Sequence, residues 1–587
     1  MLDLRVYRAA FVPALLAIVV AAFALEGRQA PIAGTPLAPD AFDGRRAIAD
    51  LEALGTAFPD RRPGAPDDER LAARVAGTLG QGREFDVSTR RFKAQTAEGE
   101  RALTTVVAVR QGIDPRRIVV MAHRDALEPG STASLSGTAA LLELGRVFRV
   151  GRSLRRTLVL VSTSGGTAGL AGAREFAEDP GGEIEAAIVL GDVAGEQTRR
   201  PLVVPWSNGL GTAPPVLADT LKGALRAEVG LRPGGYRFPG RVARLAFPLA
   251  LTEQGELNER GAPAVLISAT GERGPAGERA VSRKRLQAFG RAALRTVTAV
   301  DGVRGDLAGP DADLGIQRKV IPGWAVRVVT ALLILPALLG AIDGFARARR
   351  RRHPVGMWLR WGLAGAAPFL LTAALLWALR LVGLIAAPGT PVPAGAVPLD
   401  AAALAAMGSA ALAFVLGWIG LRPMLLRALG VSGKPESPGA AAAVMLLLVA
   451  AVILIWVRNP YTAALLLPAL HGWLLAVEPR TRGPRLVLAV LVVLALLPLA
   501  LVGLYYMHAF TMSAAELAWM LLMLVAGGGV GLGALLVWSL LGGCLLSVLS
   551  ILRRKPRRER PEPAASRGPL SYAGPGSLGG TESALRR

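Results

Sequence analysis

The chain is poor in the residues that most often build a reactive site. It has a single cysteine, Cys544, and four histidines among 587 residues. One cysteine excludes a disulfide framework and a cysteine-based zinc site. Aromatics are scarce at 5%, so the 52% apolar share rests on Ala, Leu and Val. Six of the 67 basic residues are Lys; with abundant Ala and Gly, that Arg bias reads as genome composition more than function. Acidic residues number 44, which leaves a net charge of +23. An isoelectric point near 11.3 invites a nucleic-acid reading. That reading is rejected: much of the excess lies in short loops beside apolar runs, where it sets membrane orientation. A mean hydropathy of +0.41 further excludes a simple soluble enzyme, a disordered chain and a fibrous protein.

The apolar load is unevenly placed. Residues 9–25 form a run after Arg5 and Arg8. No small-residue cleavage site follows Leu25, which favours an uncleaved anchor over a signal peptide. Further candidate spans lie near 323–345, 359–386, 400–421, 439–457, 461–477, 485–505 and 516–551. Basic clusters follow alternate spans: Arg347 to Arg352, then Arg422, Arg427 and Lys434, then Arg480, Arg482 and Arg485, and last Arg553 to Arg558. The loops near 387–399 and 505–515 carry no Lys or Arg. The positive-inside rule then puts both termini in the cytoplasm and residues 27–322 outside, with about eight spans. The last run is too long for one straight span, and Gly527, Gly528 and Gly529 interrupt it. A kinked or tilted helix is favoured there over a re-entrant loop. Arg380 and His471 are the notable intramembrane polar residues. Arg380 is expected to snorkel outward, and His471 to be neutral and satisfied by a neighbouring helix. The tail after 553 reads as basic and disordered, with an anionic-lipid contact at its start as a further reading.

The boundaries expected are an anchor at 1–26, a linker at 27–40, an outer domain at 41–300, a linker at 301–322, a seven-span bundle at 323–552 and a tail at 553–587. In the outer domain, LTTVVAVR, RIVVMAH, RTLVLVST, AAIVLGD and PAVLIS read as strands. SGTAALLELGRVF, GLAGAREFAE, PPVLADTLKGALRAEVG and RKRLQAFGRAALRTVTAV read as helices. Such alternation implies an α/β domain with a mostly parallel sheet flanked by helices. Sites in these sheets lie at the carboxyl ends of the strands. His123, the stretch from Ser164 to Thr167, and Asp192 fall there.

The segments IVVMAHRDALEPGSTASLSGTAALLELGR, STSGGTAGLAGAREF and VLGDVAGE resemble the M28 family of zinc aminopeptidases. RRPGAPDDERLAARVAGTL and TEQGELNERGAPAVLIS fit the same family. The resemblance covers roughly 45–300 and implies a zinc-exopeptidase-like fold. It also implies a two-zinc site with a Glu as general base, in which zinc acidifies a bound water. Residue by residue, His123 matches a metal-ligand position and Asp125 the carboxylate that orients it. Asp192 matches the late Asp ligand. The bridging Asp falls at Ala133, and the Glu pair at Gly166 and Thr167. The family's Ser-Asp-His stretch reads Thr252, Glu253, Gln254. His123 and Asp192 are thus vestigial metal positions, and Ala133, Ser164, Gly166, Thr167, Glu253 and Gln254 line the cleft. Three functions follow. The first is a catalytically degenerate M28-like binding or scaffolding protein of the cell envelope. It would work without a cofactor, take a peptide or envelope-component ligand, and have the bilayer and membrane proteins as partners. Its layout is similar to that of the attachment subunit of GPI transamidase. The second is a divergent metallohydrolase with zinc at His123 and Asp192. The third is a transporter of lipid or envelope substrates. The first is favoured, because two of the expected ligands remain and no base does.

Overall fold

The computed structural model describes residues 4–27, 29–32, 39–150, 154–196, 202–234, 237–273, 280–316, 319–432, 438–477 and 484–553. Lys434, Arg480, Arg482 and the expected basic tail from Arg554 onward lie outside the described residues.

The outer domain is built on a seven-stranded sheet. Its strands are β1 (Asp86–Thr96), β2 (Gly99–Arg110), β3 (Asp114–His123), β4 (Arg156–Thr163), β5 (Ile184–Leu190), β6 (Leu202–Val204) and β7 (Ala264–Ser268). The order across the sheet is β1-β2-β4-β3-β5-β7-β6. The expected mostly parallel sheet is corrected to a mixed one. The central β4, β3, β5 and β7 are mutually parallel, while β1, β2 and β6 join antiparallel. The parallel four are the short apolar runs, buried on both faces. Along β3 the period-two rule divides the side chains: Ile118, Val120 and Ala122 enter one core, and Val119 and Met121 the other. The first core takes helices Gly44–Ala57, Pro66–Leu79, Ser136–Arg149, Pro215–Val229 and Arg283–Asp301. The second takes Ala171–Glu178 and Gln254–Glu259, with Phe176, Trp206 and Leu257 at its centre.

An ionic cluster closes the amino edge of the sheet. The Arg116 guanidinium lies against Asp114 and Glu185, and the buried Arg156 reaches Glu185 at 3.2 Å. Arg156 also donates to the Val300 carbonyl at 2.7 Å, which pins the last helix of the domain. Hydrogen bonds from Arg116 hold the Asp114 carboxyl at about 2, against an ordinary 3.8.

The expected linkers hold structure. Glu26–Gly27 pairs antiparallel with Lys319–Val320, and Lys319–Ile321 pairs with Leu314–Ile316. This small sheet closes a neck where the chain enters and leaves the domain.

Among the described residues, five helices are long and apolar enough to cross a membrane: Gly323–Arg350, Val355–Leu381, Ala401–Ala428, Gly439–Arg458 and Leu532–Arg553. A sixth is made if Leu486–Leu494 and Leu497–Phe510, bent by 47°, count as one span. Tyr7–Phe23 and Ala514–Gly527 are shorter apolar helices, and Pro460–Ala476 has 17 residues. Many of their large apolar side chains point outward, among them Leu15, Leu412, Leu486 and Leu501, as lipid-facing surfaces require. The last apolar run, expected as one kinked or tilted helix, is two helices. Gly528 at φ +79 ends Ala514–Gly527, and Leu532–Arg553 starts afresh. Arg380 is bonded rather than simply snorkelling: it donates to the Ala526 carbonyl at 3.2 Å, and Trp377 donates to Val525 at 2.7 Å. Both satisfy carbonyls that the helix end leaves open. Tyr7 Oη lies 2.8 Å from His471 Nδ1, and His471 Nε2 lies 3.0 Å from the Leu333 carbonyl. The Nε2–H tautomer satisfies all three groups and ties His471 to two neighbouring helices. At Gly543 an added Cβ would meet the Gly365 carbonyl carbon at 2.6 Å, so two helices cross there backbone to backbone.

The two halves join over a packed junction. Arg244, buried, pairs with Glu272 within the outer domain. Its guanidinium carbon lies 5.0 Å from the Phe510 ring centre and 5.2 Å from that of Tyr506, both on Leu497–Phe510. Tyr506 and Thr462 donate to the Phe247 and Ala246 carbonyls, and Asn459 Nδ2 donates to Leu245 at 2.8 Å.

Two outcomes test this account. The folded pKa of Asp114 lies below its unfolded value, so its contribution is full above about 4 and is lost as pH falls through about 2. Asp114→Asn should therefore flatten the acid limb of the stability curve between those values, as read by denaturant unfolding of the full chain. At Gly290 an added Cβ would lie 2.1 Å from the Phe42 ring. Gly290→Val should cost about 1–3 kcal/mol by overpacking, seen as a lower melting temperature.

Candidate functional site

The carboxyl ends of β3, β4, β5 and β7 bring the singled-out residues to one edge of the sheet. His123 is the last residue of β3, Ser164 follows β4, and Asp192 follows β5. Gln254 starts the helix Gln254–Glu259, with Glu253 just ahead of it.

His123 faces Glu253, with Nδ1 and Oε2 3.7 Å apart. Glu253 is 1% exposed, and its Oε1 accepts from the Thr163 hydroxyl. Its Oε2 has no hydrogen-bond partner among the described residues. Burial disfavours the imidazolium of His123, but the Glu253 carboxylate outweighs that and raises its pKa. The expected orienting carboxylate acts elsewhere. Asp125 accepts from the backbone N–H of Gly166 and of Thr167, each at 2.9 Å, and from the Thr167 hydroxyl. It clamps the turn after β4. That turn lies hard against the histidine: a Cβ at Gly166 would meet His123 Cβ at 2.6 Å. The position where the resemblance places a carboxylate is filled by backbone.

Asp192 Oδ1 accepts from Gly195 N at 2.8 Å and Ala194 N at 3.1 Å, a turn of the Asx kind. The Ser136 hydroxyl donates to the carbonyl of Ala133, the position of the expected bridging Asp, at 2.7 Å and accepts from Val193 N, next to Asp192, at 3.0 Å. Ser164 donates to Asp68 rather than lying free as a nucleophile. Gln254 Nε2 reaches the Trp206 carbonyl at 3.4 Å. Among the described residues, no group of three or more His, Cys, Asp or Glu is placed to hold a metal ion.

Sequence reasoning missed three participants. Asp68, at the start of the helix Pro66–Leu79, is buried and meets Arg124 Nε at 2.8 Å; burial raises its pKa. Arg124 also donates to the Thr104 and Ser162 carbonyls, at 2.6 and 3.1 Å. Arg61 donates to Phe58 and Ser131, both at 2.6 Å. The signal was present in RRPGAPDDER: a basic pair just ahead of an acidic helix start.

Residues 105–229 match the model of Peptidase family M28. The M28 segment holds His123, Asp125, Ala133, Ser164, Gly166, Thr167 and Asp192; Glu253 and Gln254 lie beyond it. No curated protein matches the chain. Among solved structures it is similar to a glutaminyl cyclase of Porphyromonas gingivalis, at 17% identity and a TM-score of 0.36, over 44% of this chain and 98% of that one. It is also similar to the LapA aminopeptidase of Legionella pneumophila, at 14% identity and 0.36, over 46% and 73%. A third is BSAP, a zinc aminopeptidase from Bacillus subtilis, at 13% identity and 0.35, over 44% and 94%.

The clash at Gly166 yields a direct test. Gly166→Glu, which puts a carboxylate where the resemblance expects one, should create no hydrolase activity and should lower the melting temperature, because its Cβ has no room beside His123.

Proposed function

We propose that the outer domain is a non-catalytic binding module of M28 type, carried and positioned at the cell envelope by a membrane bundle that also serves as a scaffold. One observation carries this reading: backbone at Gly166 packs against His123, where the resemblance puts a Glu. Two others support it. Asp125 and Asp192 use their oxygens on the turns at 166–167 and 194–195. A two-zinc centre needs several ligands converging on each ion, and no such group is found among the described residues. The residues present do not fit the metal site that the resemblance implies, and no hydrolytic step is drawn through one.

The same proposal places both termini in the cytoplasm and the M28 domain outside, with eight crossings. The bent pair at 486–510 and the helices Tyr7–Phe23 and Pro460–Ala476 supply those beyond the five long spans. Ala514–Gly527 then lies at the outer surface, since Leu517 and Met520 pack with Ala243 and Leu251 of the outer domain. Basic loops on the other side support this orientation.

Zinc content of the purified full chain, after incubation with zinc and desalting, tests the reading. The expected stoichiometry is near zero, unchanged in His123→Ala, with no hydrolysis of aminoacyl amides. Tightly held zinc that is lost in both His123→Ala and Asp192→Ala would instead establish a rebuilt site and the metallohydrolase alternative.

A further inference from the structure

The helices Tyr7–Phe23 and Gly323–Arg350 run side by side, because the neck at Glu26–Gly27 and Lys319–Val320 pins their ends together. They do not close on each other along their whole length. Between them lies an apolar groove of about 270 Å³. Its origin is in the sequence. Ala17 and Ala325, both buried, and the half-buried Ala21 form its floor. These short side chains leave a channel, and Leu16, Val20 and Leu332 wall it.

The groove has a direction. Trp324, 55% exposed, stands at the end beside the neck, and Pro13 lies at the other end. An exposed Trp at the end of an apolar helix marks the membrane interface. The stretch from Pro13 to Ala21 is about 12 Å long at 1.5 Å per residue, close to half of a hydrocarbon core about 30 Å thick. The groove therefore runs through the leaflet next to the α/β domain and stops near the middle of the bilayer.

Its size and lining select the occupant. No charged side chain lines it, and an apolar channel does not hold ordered water. A second copy of the chain would need about 800 Å² on each side, and a channel little more than two helical turns long offers a small part of that. Left empty, the groove would forfeit van der Waals contact along both walls. At about 30 Å³ for a water-sized group such as a methylene, its volume holds about nine of them in a row.

We propose that this groove holds one acyl chain of a bilayer lipid from the leaflet beside the α/β domain, as a resident part of the contact between the first helix and the bundle. Calling that leaflet the outer one rests on the orientation proposed above; the site itself does not. The groove reads the chain and not the head group, since its lining offers no charge to a phosphate or an ammonium.

The test uses the full chain, reconstituted in phosphatidylcholine vesicles, extracted in mild detergent and weighed by native mass spectrometry. One phosphatidylcholine per chain should stay bound. Ala17→Phe, which fills the floor, should cut that retention several-fold. Ala22→Phe, on the exposed side of the same helix and outside the groove, should leave it unchanged. The loss in Ala17→Phe should be the same with phosphatidylglycerol in place of phosphatidylcholine, and the gain in melting temperature on adding lipid back should be smaller in Ala17→Phe than in Ala22→Phe. Ala21→Leu replaces the first variant if that one fails to fold. Retention that ignores both fillings, or falls equally in Ala22→Phe, would overturn the site. A doubled chain mass that is lost on filling would give the groove to a second copy and overturn the ligand. Labelling of Ile113→Cys, at an exposed turn of the α/β domain, by a membrane-impermeant thiol reagent in whole cells reads the orientation separately. Failure of that reading and failure of this one are thus distinguishable.

Discussion

Arg244 is the point on which the two halves of the molecule agree. A buried guanidinium costs ~several kcal/mol unless an opposite charge and further contacts surround it. Glu272 supplies the charge from within the outer domain. The bundle supplies the rings of Tyr505, Tyr506 and Phe510 at 5.0–5.7 Å, an arrangement that attracts a cation through the ring faces. Neither half completes the cage alone. With the Asn459, Thr462 and Tyr506 bonds to carbonyls at 245–247, this fixes the tilt of the sheet relative to the membrane helices.

At the carboxyl edge of the sheet the acidic side chains serve the backbone of the turns around them. Asp125 still lies just past the end of β3, but its two oxygens hold the turn after β4, and that hold brings Gly166 onto His123. Asp192 caps its own turn. Charged groups at a strand edge survive when they satisfy backbone N–H groups that burial would leave open. His123 has a carboxylate neighbour, Glu253, with Nδ1 and Oε2 3.7 Å apart.

The four parallel strands were legible because each is a short apolar run between helical patterns, and their carboxyl ends marked the edge where the site lies. The mixed character of the sheet was not. Asp86–Thr96 alternates polar and charged residues on an edge strand, where one side faces solvent, and its pairing with β2 is a long-range event that no local pattern announces. Glu253 was placed in the cleft by motif position, but its approach to His123 depends on how a helix start packs across the sheet. Apolar length identified the membrane helices, yet the break after Gly527 follows from a glycine at positive φ, where three consecutive glycines fit a kink equally well. His471 has the neighbouring-helix partners that its place inside an apolar helix led one to expect.

The bond between Tyr7 and His471 joins residues 464 apart. At roughly 5–20 residues per second of synthesis, the first helix waits about half a minute to a minute and a half for its partner to emerge. The neck at Glu26–Gly27 and Lys319–Val320 closes earlier in the same sequence of events. The α/β domain is thus complete in sequence before the helices that seat it are made, and the cage around Arg244 can close only once residue 510 has been synthesised.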